Sequence, residues 1–317
     1  MQRNIINKSG KLTRRVKSAP NAIGIYWFLD QAGKILYVGK SVNLRQRLSS
    51  YLNGKIFKTE PRILKMLGIA RNIGWKIFDN ELMALLAEDR LIKQELPEYN
   101  IRQREFNDYC FLHLSPEDYP ALHIVHQPDL SRGQFFGPYR DKYLAEDIKL
   151  LLVKYFQFRS CLEKNPGRVC ADLEIGLCRG PCIGKINTTG YGQLVTMVVN
   201  FLNGNSHEMT VRITQQMNSF SAKQHYEMAA RAKSDMVFCR AFTERQKFLN
   251  QFKDDILVVT DDSMAPTDYC FIQGRLDSEP NDQNVDIRFI HDKGNIVYNW
   301  IRKNSDHVQH KFINSQG

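Results

Sequence analysis

The chain has 317 residues, of which 43% are hydrophobic and 25% charged. That balance is close to the globular average and excludes wholesale disorder and fibrous classes; the length allows two or three domains with a substantial core. Lys plus Arg number 44 against 34 Asp plus Glu, a net charge of +10 at pH 7, which favours a polyanionic partner. No strongly basic amphipathic helix stands out, so nucleic acid is favoured over an anionic membrane surface. No apolar run approaches the roughly 18 residues that cross a bilayer. The opening Met-Gln-Arg-Asn-Ile-Ile-Asn-Lys has no apolar h-region and no small-residue cleavage site, so a cytoplasmic protein with no membrane partner is expected. Seven cysteines, an odd number without an export signal, argue against a disulfide framework.

Residues 1–20 are basic, end at Pro20 and read as a mobile lead-in. Gly24 to Leu29 is aromatic and β-branched, and Lys34 to Gly39 repeats that character after Asp30-Gln31-Ala32-Gly33. The pair predicts a hairpin. Ser41 or Asn43 can cap a helix that carries Leu44, Leu48, Tyr51 and Leu52 on one face. A short helix is expected over 60–70, a strand over 74–78, and an amphipathic helix over 80–96 ending before Pro97. Together these make a small sheet flanked by helices over 21–102. A mixed region follows over 107–190, with a strand at Phe111–Leu114 and a helix near 143–156. Helix formers dominate 191–250 and predict a helical hairpin whose second helix spans about 221–246. From 255 to 317 the pattern turns to β, with a last hairpin pairing Val285–Ile290 with Asn295–Trp300 around Asp292-Lys293-Gly294-Asn295. The fold class is α+β.

The first hairpin carries chemistry. Cutting a phosphodiester requires an activated water, charge neutralisation on the phosphate and help for the leaving oxygen. Tyr26 and Tyr37 lie on neighbouring strands. Lys40 sits at the strand end, where a cation favours phenolate. Arg47 lies at the edge of an apolar helix stripe and offers a fork suited to phosphate oxygens. Glu88 offers the hard oxygen that Mg²⁺ takes from one or two carboxylates. Glu81, Glu88 and Glu95 are seven apart on one helix edge, so periodicity does not choose among them.

Gly24-Ile25-Tyr26, then Tyr37-Val38-Gly39-Lys40 and the helix reaching Arg47, with Glu88 and Pro97-Glu98-Tyr99-Asn100 downstream, resembles the GIY-YIG nuclease signature. The resemblance selects Glu88 as the ligand of a single Mg²⁺ or Mn²⁺. It implies Tyr37 as general base assisted by Lys40, Tyr26 and Arg47 holding the phosphate, and Asn100 supporting the site. Ile23 stands where the family often has proline.

Cys161, Cys170, Cys178 and Cys182 fall within 22 residues as C-x8-C-x7-C-x3-C. Four thiolates satisfy tetrahedral Zn²⁺ or a 4Fe–4S cluster equally by ligand type; the absence of C-x2-C pairs disfavours zinc. Arg159, Arg168 and Arg179 make the segment electropositive. Cys110, Cys239 and Cys270 read as buried thiols, and His123 with His126 as a surface pair. With Phe135-Phe136-Gly137-Pro138-Tyr139 and Phe158-Arg159-Ser160-Cys161, the region resembles the centre of the UvrC family, the incision subunits of bacterial nucleotide excision repair. That resemblance favours the 4Fe–4S cluster.

Tyr226-Glu227-Met228-Ala229-Ala230-Arg231 resembles the UVR motif, with Ala232, Lys233 and Ser234 in place of the usual Leu, Arg and Asp. The resemblance implies a UvrB-like partner bound through Tyr226, Glu227, Ala229 and Ala230. Full family members continue into a second nuclease and helix-hairpin-helix motifs, so the chain corresponds to an N-terminal half. The implied activity is a metal-dependent endonuclease making one incision, on the 3′ side, in damaged double-stranded DNA. Two alternatives are a non-cleaving DNA- and partner-binding adaptor, which would show no metal-dependent scission, and a GIY-YIG nuclease of mobile DNA, which the cysteine segment disfavours.

Overall fold

A computed structural model describes residues 10–52, 61–101, 109–129, 133–161, 169–263, 266–278 and 286–314. The chain divides into two compact units, Met1–Phe106 and Asn107–Gly317. The class is α+β, as the sequence predicts.

The first unit runs α1 (Gly10–Lys17), β1 (Gly24–Leu29), β2 (Ile35–Ser41), α2 (Leu44–Leu52), α3 (Pro61–Ile69), β3 (Asn72–Ile77) and α4 (Glu81–Glu95). The strands form an antiparallel sheet in the order β2-β1-β3. Asp30 shapes the β1–β2 turn, its side chain accepting from the N–H groups of Ala32 and Lys34, each at 2.9 Å. Register pairs Tyr26 with Gly39 and Phe28 with Tyr37, so Tyr26, Phe28 and Tyr37 share one face. Leu44, Leu48 and Tyr51 of α2 are buried in the same apolar cluster as Tyr26 and Phe28. Asn80 caps α4 by accepting from the Met83 N–H at 2.8 Å. Leu96 ends the helix in the left-handed region, at φ 45°, just before Pro97.

The expected mobile lead-in is, over its described part, the helix α1. Leu12, Val16 and Ala19, spaced as one helical stripe, are buried in the core of this unit, and that burial outweighs the high charge of the segment. Residues 1–9 lie outside the described residues, as does residue 60 at the expected start of α3.

The second unit opens with β4 (Cys110–Leu114), β5 (Leu122–Val125) and β6 (Gln134–Tyr139), ordered β5-β4-β6. Next come α5 (Lys142–Phe156), a one-turn α6 (Ala171–Glu174), a 3-10 turn at Pro181–Ile183, α7 (Thr188–Leu202), α8 (His207–Ala222) and α9 (Tyr226–Asp254). A second sheet, ordered β10-β7-β8-β9, consists of β7 (Ile256–Asp261), β8 (Thr267–Ile272), β9 (Arg275–Leu276) and β10 (Val308–Ile313), with α10 (Ile287–Lys303) before the last strand. One core joins β4–β6 to α5, α7, α8 and α9, around Leu112, Leu152, Phe156, Tyr191, Phe201 and Ile213.

Residues 191–250 hold more than a hairpin: α7 precedes the α8–α9 pair. The predicted last hairpin is instead the helix α10, capped by Asp286, whose side chain accepts from the Arg288 N–H at 2.8 Å; Val285 lies outside the described residues. Gly294, Val297, Tyr298 and Ile301 are buried at helical spacing. Gly294 is not a turn residue. A Cβ there would meet Leu249 Cδ2 at 2.8 Å and Phe252 Cδ1 at 2.9 Å, so glycine permits close approach of α9 and α10.

Candidate active site

Arg47 is the hub of the first unit's polar cluster. It lies one turn into α2, and its Nε donates to the Tyr26 hydroxyl at 3.1 Å. Its guanidinium also sits over the Tyr51 ring, 5.3 Å from the centroid. The hydroxyls of Tyr26 and Tyr51 share a hydrogen bond of 2.7 Å. The Tyr26 and Tyr37 rings lie 6.3 Å apart, centroid to centroid. Tyr26 is fully buried and Tyr37 partly so. Burial raises the Tyr26 hydroxyl pKa strongly, and the nearby Arg47 charge opposes that shift only in part. Tyr26 therefore stays a neutral phenol whose oxygen addresses Arg47 rather than solvent. The positive field of Arg47 also reaches Glu88.

Glu88 is joined to the end of β2, where its Oε1 accepts from the Lys40 main-chain N–H at 2.8 Å. Burial pushes its carboxyl up to about 7; the Lys40 N–H, the Lys40 charge and Arg47 act in the opposite sense. The other carboxylate oxygen has no hydrogen-bond partner among the described residues, which suits a hard cation that keeps most of its waters. Among the described residues no group of three or more His, Cys, Asp or Glu side chains stands ready to hold a metal, so a cation here would rest on Glu88 and water. The Lys40 ammonium makes no hydrogen bond to Tyr37 among the described residues. It pairs with Glu81 Oε1 at 2.5 Å.

Asn100 is bonded to the signature strand. Its side-chain amide is bonded to the main chain of Val38 in both directions, each bond 2.8 Å long, and so extends the pairing of edge strand β2 between Tyr37 and Gly39. The structure thus brings Tyr26, Tyr37, Arg47, Lys40 and Glu88 into one neighbourhood, with Asn100 behind it. Sequence reasoning treated Tyr51 as packing alone, although its place four residues after Arg47 on one helix face was available as a signal.

In the second unit none of the seven cysteines is paired in a disulfide. Burial raises the Cys178 thiol pKa, with smaller contributions from Cys161, Cys170 and Cys182; each of the three lies within electrostatic range of Cys178, but among the described residues the four thiols are not drawn together as a ready metal cage. Arg159 is buried, and its Nε donates to Cys161 Sγ at 3.1 Å while Nη1 donates to the Tyr119 carbonyl at 2.7 Å. The Gly180 N–H donates to Cys178 Sγ at 3.4 Å. Arg168 lies outside the described residues. Cys110 and Cys239 are buried as expected; Cys270 is only partly so. His123 is half-buried and His126 exposed. Tyr226, Glu227 and Ala230 are exposed on the first turns of α9, and Ala229 is partly buried. Asp235, farther along, is tied to Lys154 Nζ and the Tyr155 hydroxyl, each at 2.6 Å.

A hairpin sheet that gathers two tyrosines, a helix arginine and a glutamate is the frame of a GIY-YIG endonuclease domain, and the family model for a UvrC-like GIY-YIG domain matches residues 22–101. The model for the UvrC/Cho excinuclease middle domain matches 109–201. The UvrABC system protein C of Methanosarcina acetivorans is 33% identical over 240 residues, covering 76% of this chain and 46% of that protein. The protein of the same name from Dictyoglomus thermophilum is 32% identical over 262 residues, covering 80% and 43%. The GIY-YIG N-terminal endonuclease domain of UvrC from Thermotoga maritima, solved with magnesium, is 30% identical, with 29% of this chain and 99% of that one covered and a TM-score of 0.27. The chain belongs to the UvrC family and spans somewhat less than half the length of the curated relatives it matches. No helix among the described residues is long and apolar enough to cross a membrane.

Proposed function

We propose that the chain is a divalent-metal-dependent endonuclease of nucleotide excision repair. It makes one incision, on the 3′ side, in damaged duplex DNA delivered by a UvrB-like subunit in the cytoplasm. The observation that carries this reading is the convergence on Arg47: one guanidinium bonded to Tyr26, stacked on Tyr51 and felt by Glu88. Tyr37, the less buried of the two signature tyrosines, acts as a phenolate in the field of the Arg47 charge: it takes the proton of the attacking water and becomes the neutral phenol as the hydroxide attacks phosphorus. Arg47 neutralises a phosphate oxygen. Tyr26 works through Arg47, fixing its Nε. Glu88 holds Mg²⁺ or Mn²⁺, which when bound polarises the phosphate and stabilises the leaving oxygen. Asn100 fixes the strand that presents Tyr37. The test combines the protein, the partner subunit, Mg²⁺ and a lesion-bearing duplex. Wild type cuts; Tyr37→Phe and Glu88→Gln do not. Equal cutting by either variant overturns the assignment.

Cys161, Cys170, Cys178 and Cys182 are proposed to hold a four-thiolate metal centre, a 4Fe–4S cluster in preference to zinc. Support comes from the donor set and from the N–H groups of Arg159 and Gly180 already directed at two of the sulfurs. Iron and sulfide analysis of anaerobically purified protein tests it: zinc alone, or no metal, overturns the cluster. The exposed first turns of α9 support the reading of Tyr226, Glu227, Ala229 and Ala230 as the partner-binding end. Pull-down with the UvrB-like subunit, weakened by Tyr226→Ala, tests that contact.

A further inference from the structure

Lys40 is gripped twice by one helix. Its main-chain N–H donates to Glu88 Oε1 at 2.8 Å, and its ammonium pairs with Glu81 Oε1 at 2.5 Å, both side chains mostly buried at 17% exposure. Glu81 and Glu88 are seven residues apart on α4, close to two turns or about 10 Å along the axis, so both carboxylates lie on the same edge. Glu81 is the first residue of α4, directly after the Asn80 cap. The positive end of the helix favours an acidic residue at this place.

We infer that Glu81 is a positioning residue that draws the Lys40 ammonium along α4, away from the Glu88 carboxylate, and so leaves that carboxylate open to the divalent cation. The inference rests on reading Glu88 as the metal ligand. Glu88 lies in the field of two cations, Lys40 and Arg47, and a dication approaching its oxygens is repelled by both. The lysine stem starts at the residue whose N–H already touches Glu88. Without a second anion the ammonium folds back onto the nearer carboxylate and competes with metal for it. Glu81 reduces that competition in two ways: it engages the ammonium in its own ion pair at 2.5 Å, and its charge compensates the lysine. Arg47 then remains as the uncompensated cation facing the phosphate. The glutamates that periodicity could not separate thus divide the work, Glu88 for metal and Glu81 for lysine.

The experiment is Mn²⁺ binding to the full chain at neutral pH, followed by the electron-spin-resonance signal of free Mn²⁺, with circular dichroism confirming that each variant is folded. Glu81→Gln is isosteric and is expected to weaken Mn²⁺ about tenfold, the scale of a lost screened charge interaction. Glu81→Asp recovers part of the affinity. Lys40→Met introduced into Glu81→Gln restores near wild-type affinity, because no ammonium is left to compete. A purely structural role for Glu81 would not be rescued by removing Lys40. Wild-type affinity in Glu81→Gln, or no recovery in the double variant, overturns the inference. Wild-type affinity in Glu88→Gln overturns the metal-site reading itself, a separate outcome.

Discussion

Asn100 and Val38 form a closed ring of two hydrogen bonds, the asparagine amide donating to the Val38 carbonyl and accepting from its N–H, each at 2.8 Å. Val38 is fully buried, and β2 is an edge strand, so no neighbouring strand is available to satisfy its main chain. Asn100→Ala should destabilise the fold by about 1–3 kcal/mol, the penalty for orphaned buried groups. Asn100→Asp should be worse than a loss of one bond, since a carboxylate accepts from the N–H but repels the carbonyl. Urea titration gives the stability. Cleavage should fall with it, because Tyr37 and Gly39 flank the clamped residue.

Glu88 links stability to pH. Burial places its folded pKa at about 7, above the ordinary 4.5, so the folded state holds this proton more tightly than the unfolded chain. The contribution is fully present below about pH 4.5 and is lost as pH rises through 7, by up to about 3 kcal/mol. Denaturant midpoints of metal-free wild type and Glu88→Gln, taken between pH 4.5 and 7.5, isolate the effect. The stability of wild type should decline relative to the variant as pH rises. Parallel curves would show that burial does not perturb this carboxyl.

Gly39 lies directly across from Tyr26 in the sheet. A Cβ at this position would stand 2.5 Å from the Tyr26 hydroxyl oxygen. Gly39→Ala therefore has to displace the phenol that holds Arg47, with overpacking worth about 1–3 kcal/mol. Tyr26→Phe keeps the packing and removes only the oxygen. It should lower single-turnover cleavage by roughly 10- to 100-fold, somewhat less than the loss of a direct transition-state donor, with little change in DNA affinity.

Asp89 and Lys93 form an (i, i+4) ion pair of 2.7 Å, with side-chain exposures of 10% and 2%. Breaking this buried pair from either side should destabilise the fold, so Asp89→Leu or Lys93→Met should each lose about 1–3 kcal/mol. The double variant Asp89→Leu/Lys93→Met should recover most of that, and thermal melting of the four proteins closes the cycle.

The first hairpin was legible because its side-chain period of two and the Asp30–Gly33 turn agree, and because β1 is the central strand. Tyr26, Tyr37, Arg47 and Glu88 come together as spacing and resemblance imply. The partner of Lys40 was not legible: Glu81, Glu88 and Glu95 are equivalent by periodicity, and only the packing of α4 along β1 and β2 decides which carboxylate meets the ammonium. In α10, β-branched residues on either side of Gly294 imitate a hairpin. The sequence contains the helical stripe through Val297, Tyr298 and Ile301, but that glycine acquires its meaning only from the Leu249 and Phe252 side chains it meets. In α1, three apolar residues among basic ones are too few to signal burial before their receiving core is known.

Helix α9 runs unbroken for 29 residues, about 44 Å at the ordinary rise. Its outer turn carries Tyr226, while Phe248 and Phe252 at the far end are buried, Phe252 against Phe271 of β8 and Phe248 against Tyr298 of α10. A straight rod of that length does not absorb torque as a loop does. Ala232, Cys239 and Phe242 bury its middle in the core of the second unit, so the helix is clamped along its length and joins an exposed first turn to an aromatic anchor.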